Sequence, residues 1–183
     1  MNIEQFLHRL PTADSYDYAV EFRHTSWGTE GPWEMLKHYD IAAVMTDSPP
    51  SENLQYLSDV IVTADHSVVR FHGRNTKGHY WYNYLYSEQE LKPWVEKVDE
   101  IEKQTKILRI YFKNHYGGKA VANALQFKAL AGHPLSEIER RREIFVESSV
   151  NHIFFSLSFV NISLSLAFVR PLSMAMLYKY KGS

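Results

Sequence analysis

Residues 16–47 read YDYAVEFRHTSWGTEGPWEMLKHYDIAAVMTD, and this stretch decides the fold class. Tyr16 to Phe22 is apolar and aromatic and fits a buried strand. Gly31-Pro32 opens a short helix, with Trp33, Leu36 and Tyr39 on one side. Ile41 to Thr46 is a second apolar run of strand length, and Asp47-Ser48-Pro49-Pro50 stops it. Strand, helix and strand in succession make one unit of an α/β fold.

The same alternation continues outward. Upstream, Ile3, Phe6, Leu7 and Leu10 recur at helical spacing. No basic segment leads into a long apolar one, so no signal peptide is expected. A cytoplasmic protein is the expectation. Downstream, Val68 to Phe71 begins a third strand, ended by His72-Gly73-Arg74-Asn75. Ser87 and Glu90 form a capping box before a helical face of Leu91, Trp94, Val95, Val98 and Ile101. Pro93 conflicts with a regular first turn, which predicts a later start or a bend. Ile107 to Phe112 is the fourth strand, and Gly117-Gly118 precede a helix over Lys119 to Ala131 that Gly132 ends. Such alternation predicts a parallel sheet with crossover helices, either open or part of a closed barrel.

Composition narrows the chemistry. The chain has 183 residues and no cysteine, which excludes disulfides, thiolate metal sites and a cysteine nucleophile. A net charge of −1 argues against a wholly basic nucleic-acid-binding surface, though a local basic patch stays compatible with it. No motif identifies a cofactor.

Polar residues gather where the strands end. Glu21, Arg23, His24 and Trp27 end the first strand, and Asp47 ends the second. Arg70, His72, Gly73, Arg74 and Asn75 end the third; Asn114 and His115 end the fourth. Ligands of parallel α/β folds bind at these ends, so the groups are expected to converge on one rim. Glu21 and Asp47, with His72, are the candidates for acid–base work or for holding a divalent ion. The plainer alternative is that the carboxylates pair with Arg23, Arg70 or Arg74 and position loops. His24, His72 and His115 lack metal-ligand spacing, so packing or hydrogen bonding is the simpler role and no metal site is assigned. Arg74, Asn75, Gly117 and Gly118 suit an anion lying on a helix N-terminus. Trp27, Tyr80, Trp81, Tyr82, Tyr84 and Tyr86 could stack on bases or sugars, or simply cover the strand ends. Asn123, inside the last helix, is expected to bond back to the rim.

YAVEFRHTSW, the isolated Asp47 before Pro49, VVRFHGRN, YNYLYSEQEL and YFKNH followed by GGKAVANAL together resemble the YecE-like family, domain of unknown function seventy-two. The likeness covers about residues 3–131. It implies part of a TIM-like (β/α)₈ barrel, about strands five to eight, over residues 1–132, with the first four strands absent. The phosphate-holding loops of such barrels then correspond to HGRN and NHYGGKA. The family carries no established reaction. An anionic or phosphate-bearing small molecule, or a nucleic-acid backbone, is the implied ligand. The second reading is a barrel half that works only with a partner supplying the missing strands, with a second copy of itself, or not at all. Its exposed parallel edges would need cover.

No motif of the family is recognised in residues 133–183. A charged helix is expected over residues 135–149. Val150 to Val169 then lacks Asp, Glu, Lys and Arg. Its length would suffice to cross a bilayer, but polar interruptions and near-alternation favour a packing strand over membrane contact.

Overall fold

The computed structural model describes residues 3–11, 16–49, 58–77, 80–142 and 175–181. Helix α1 spans Ile3–Leu7, α2 Glu30–His38, α3 Glu88–Glu102 and α4 Lys119–Leu130. Strands β1 (Tyr16–Phe22), β2 (Ala42–Asp47), β3 (His66–Phe71) and β4 (Ile107–Phe112) pair in parallel, in the order in which they occur. The α/β class and the four-stranded parallel sheet follow the alternation of the sequence.

A fifth strand, β5 (Ala175–Lys181), joins the other side of β1 in antiparallel register, from Tyr16 opposite Lys181 to Phe22 opposite Ala175. The sheet order is β4-β3-β2-β1-β5. The edge of β1, expected to lie open, is therefore paired. At the other end, β4 has no second strand neighbour among the described residues. The apolar run 150–169 lies outside the described residues. Within them, no helix is long and apolar enough to cross a membrane.

Side chains alternate across the sheet, and each face has its own core. On the helix side, Tyr18, Val20 and Phe22 of β1 pack with Leu36 of α2 and Leu7 of α1. Met45, Val69 and Phe71 pack with Leu91, Trp94, Val98 and Ile101 of α3 and Phe127 of α4. The opposite face is lined at mid-sheet by the small residues Ala19, Ala42, Val44 and Val68. There Arg109 Nη2 of β4 donates to Asp17 Oδ2 of β1 at 2.7 Å. In a flat sheet, strands three places apart lie roughly 14 Å from each other. Closing that gap curls the sheet toward this face, which is called concave below.

Of the later start and the bend expected from Pro93, the later start does not occur. Helix α3 begins at Glu88, directly after Ser87, and runs through Pro93. The Glu90 carboxylate accepts hydrogen bonds from the Ser87 N–H at 2.9 Å and the Ser87 hydroxyl at 2.8 Å. Pro93 removes one donor, but the capped first turn and the buried Leu91 and Trp94 hold the helix in place.

Candidate functional site

The concave face ends in a charged cluster built on β1 and β3. Glu21 is completely buried. Its Oε1 accepts from Arg23 Nε at 2.8 Å, and its Oε2 accepts from Arg70 Nη1. His72 Nε2 lies 3.3 Å from the same Oε2. Burial alone would raise the carboxyl pKa. The contact with His72 and the charges of Arg70 and Arg23 outweigh it, so Glu21 stays ionised well below the ordinary carboxylate range.

His72 is the reverse case. Burial pushes its pKa below the ordinary histidine value, Arg70 and Lys113 push the same way, and Glu21 offsets only part. The neutral ring stacks on Trp81 with centroids 5.4 Å apart, and among the described residues neither ring nitrogen has a well-aligned hydrogen-bond partner.

Lys113 completes the cluster. It follows β4 in the alternation Ile107, Arg109, Tyr111, the set opposite the helix-packed Leu108, Ile110 and Phe112. Its main-chain N–H donates to Phe71 O at 2.8 Å. Its half-buried ammonium is destabilised by burial and then by Arg70 and Arg23, with Glu21 partly compensating. Sequence reasoning took Asn114 and His115 from this strand end and missed Lys113. Counting alternate residues along β4 would have found it.

Asp47 does not join this cluster, contrary to the expected single rim. It shares the alternation of Ala43 and Met45, so its side chain leaves on the helix side. There it accepts from Arg74 Nε at 2.7 Å, Arg74 Nη2 at 2.5 Å, Tyr86 OH at 2.9 Å and Trp94 Nε1 at 2.7 Å. Arg74 also reaches Glu90 Oε1 at 3.3 Å, and Tyr84 OH donates to that atom at 2.5 Å. The hydrogen bond to Asp47 raises the Arg74 pKa further. Burial and the Glu90 hydrogen bond push the Tyr84 phenol up to about 12. Asp47 and Arg74 thus form a saturated clamp between the end of β2, the loop after β3, and α3. Arg74, expected to hold an anion, already holds two carboxylates.

The other candidates shape that loop. Gly73 has φ +95°, donates to Tyr86 OH at 2.8 Å, and sits so close to Trp81 that a Cβ would meet its carbonyl oxygen at 2.4 Å. Asn75 Nδ2 donates to Tyr80 O at 3.1 Å. The buried Asn114 donates to Tyr84 O at 2.8 Å and to Asn123 Oδ1 at 2.7 Å. Asn123 accepts from Tyr86 N at 3.0 Å and donates to Tyr86 O at 2.9 Å, so it bonds back to the loop.

The three histidines lie in separate settings. His24 Nδ1 contacts Ser26 Oγ at 2.8 Å, and His115 stacks on Tyr82 at 4.9 Å. Among the described residues no group of three metal-ligating side chains could hold an ion. Trp27 stacks on Phe22 at 4.6 Å, on the helix side of β1. Gly117 and Gly118 both take positive φ in the turn before α4, and Lys119 Nζ donates to Asn83 Oδ1 at 2.5 Å.

This sheet, its helices and its two networks define an α/β protein with polar groups at the carboxyl ends of parallel strands. Residues 1–144 match the family described as "Protein of unknown function DUF72", and the chain belongs to that family. The YecE-like resemblance names the same family. The UPF0759 protein YunF of Bacillus subtilis (strain 168) is 30% identical over 130 residues, which cover 61% of this chain and 45% of that protein. A DUF72 family protein from Thermotoga maritima MSB8 superposes with a TM-score of 0.64 at 39% identity, covering 72% of this chain and 50% of the other. One from Enterococcus faecalis V583 gives 0.60 at 25% identity, covering 73% and 52%. The chain spans about half the length of these relatives.

Proposed function

We propose that the concave rim binds a small phosphate- or carboxylate-bearing molecule, on what is the interior side of a TIM-like barrel to which β1–β4 and their helices contribute. The observation that carries this reading is the pairing of Arg23 and Arg70 with the buried carboxylate of Glu21, with Lys113 near enough to feel all three charges. Among the described residues of this cluster, cations outnumber carboxylates three to one. Keeping like charges together in a half-buried place is costly unless an anion joins them. Glu21 orients the two guanidinium groups, and Lys113 is the mobile donor. His72, neutral and buried beside Glu21, is placed for proton transfer.

The curl of the sheet supports the barrel part of the reading, as does the lining of Ala19, Ala42, Val44 and Val68 on the concave face. The test is calorimetric titration of the full chain with inorganic phosphate. Wild type should bind, and Lys113→Met should bind about tenfold more weakly, the loss of one charge-assisted hydrogen bond. Equal binding by the two proteins, or none by either, would overturn the reading.

A further inference from the structure

We propose that Lys113 is a nucleophilic amine that captures the carbonyl carbon of a small anionic ketone, aldehyde or oxo acid as an imine. The inference rests on the anion-binding reading above and names the substrate class of that site.

Three observations single out this amine. The first is position. Lys113 leaves the carboxyl end of β4 on the concave side, and its backbone is pinned at both main-chain groups. Its N–H donates to Phe71 O, and its carbonyl accepts from the His115 N–H at 2.8 Å and contacts His115 Nδ1 at 2.8 Å. The second is the contrast between fixed backbone and uncommitted head group. Arg23, Arg70 and Arg74 each bond a carboxylate, as do Arg109 and Lys128. Lys113 Nζ bonds nothing among the described residues. The third is its surroundings. The half-buried amine faces Arg23 and Arg70 at the ends of β1 and β3; among the described residues Glu21 is the carboxylate that acts on it, and His72 lies in its field. A lysine held beside other cations and partly out of water carries a larger share of free base, the reactive form. A lysine meant only to hold an anion needs none of this, since a fully charged head group serves better.

The chemistry balances without an external oxidant or reductant. The Lys113 ammonium first releases one proton to water, leaving the free amine. The amine lone pair forms the new C–N bond, and the carbonyl π pair moves to oxygen. The nitrogen passes one proton to that oxygen, giving a carbinolamine. The C–O bond breaks, the hydroxyl takes the proton back from hydronium and leaves as water, and the nitrogen pair completes the C=N bond. The product is a protonated imine, and the sum is ammonium plus carbonyl giving iminium plus water. Arg23 and Arg70 hold the carboxylate or phosphate of the same molecule, which keeps its carbonyl within reach of Nζ.

Reductive trapping on the full chain tests this. Pyruvate and dihydroxyacetone phosphate are the probes, sodium borohydride the reductant, and peptide mass mapping the readout. The expected result is label on Lys113 in about tenfold excess over any exposed lysine, suppressed by inorganic phosphate. Lys113→Arg should lose that label while still giving a phosphate titration signal, because arginine keeps the positive charge but forms no such imine. Label spread evenly over surface lysines, or none at Lys113, overturns the inference even if Lys113→Arg cannot be purified. Phosphate binding without trapping leaves the anion site standing and removes the amine chemistry. Absence of both removes the two together.

Discussion

Glu21 and Asp47 are both buried carboxylates at the ends of neighbouring parallel strands, and they end in opposite situations. Asp47 receives two bonds from one arginine and one each from Tyr86 and Trp94, so every donor around it is matched, and Glu90 shares the same guanidinium. Glu21 sits among Arg23, Arg70 and Lys113 with His72 held neutral beside it, so among the described residues positive charge prevails there. The difference traces to strand alternation: position 21 faces the concave side and position 47 faces the helices. A saturated network serves stability. A network with surplus charge costs stability and is suited to a ligand.

The largest expected effect breaks the saturated side. Asp47→Ala strands the Arg74 guanidinium and the donors of Tyr86 and Trp94. Removing one partner of a buried pair costs about 3–5 kcal/mol. Urea denaturation should show that loss, and if the protein stays folded in dilute buffer, phosphate titration on the concave side should persist. Loss of phosphate binding in a folded Asp47→Ala protein would mean that the two networks are one site.

Glu21→Gln tests the other side and should cost somewhat less, about 2–4 kcal/mol. It should also leave more uncompensated positive charge, so phosphate should raise the melting temperature more than in wild type. The pH dependence follows from sign. The folded carboxyl of Glu21 titrates below its unfolded value, so its contribution is complete above the unfolded carboxylate pKa and is lost as pH falls below it. The stability gap between wild type and Glu21→Gln should therefore narrow on acidification from about pH 5 to pH 3. A gap that widens in that window would contradict the ion-pair description.

Much of this comparison was legible in the sequence, and the limits have physical causes. The four parallel strands could be read because they are mainly apolar runs between turn signals, most clearly β2, whose residues Ala42–Asp47 are all buried. Glu21, Arg23, Arg70 and His72 could be read as polar residues at strand ends. The face each one takes could not be read as easily, because a strand buried on both sides shows no hydrophobic alternation. Position 47 therefore looks equivalent to position 21 in the sequence, although Asp17, Ala19 and Glu21 alternate with the apolar set that packs on α2. Lys113 was passed over for the more conspicuous Asn114 and His115. β5 carried no signal of its pairing, since register against Tyr16–Phe22 is set by the whole sheet and not by residues 175–181. Pro93 misled because propensity is local, whereas the cap at Ser87 and the burial of Trp94 act together.

His72 gives a finer test of the surplus side. Its folded pKa lies below the unfolded value, so the folded state binds fewer protons near neutrality. The corresponding stability is present above about pH 6.5, the unfolded histidine value, and is lost as pH falls through it. His72→Gln should flatten the wild-type stability profile between about pH 7 and pH 5. An unchanged slope would assign that titration to another histidine.

The smallest effect is the most telling, because its sign separates the two kinds of network. Lys113 is a cation pushed toward its neutral form by burial and by Arg70 and Arg23. A lysine with a depressed folded pKa opposes folding at every pH where the unfolded lysine is charged. Replacing it with methionine removes that cost and keeps the apolar stem. Lys113→Met should therefore equal or exceed wild type in urea stability, by up to about 1 kcal/mol, while losing phosphate affinity. A substitution in the Asp47 clamp cannot behave this way, since every group there has a partner to lose. If Lys113→Met is instead less stable than wild type at neutral pH, the ammonium is satisfied in the folded chain. The contrast between a saturated face and a charged face would then collapse.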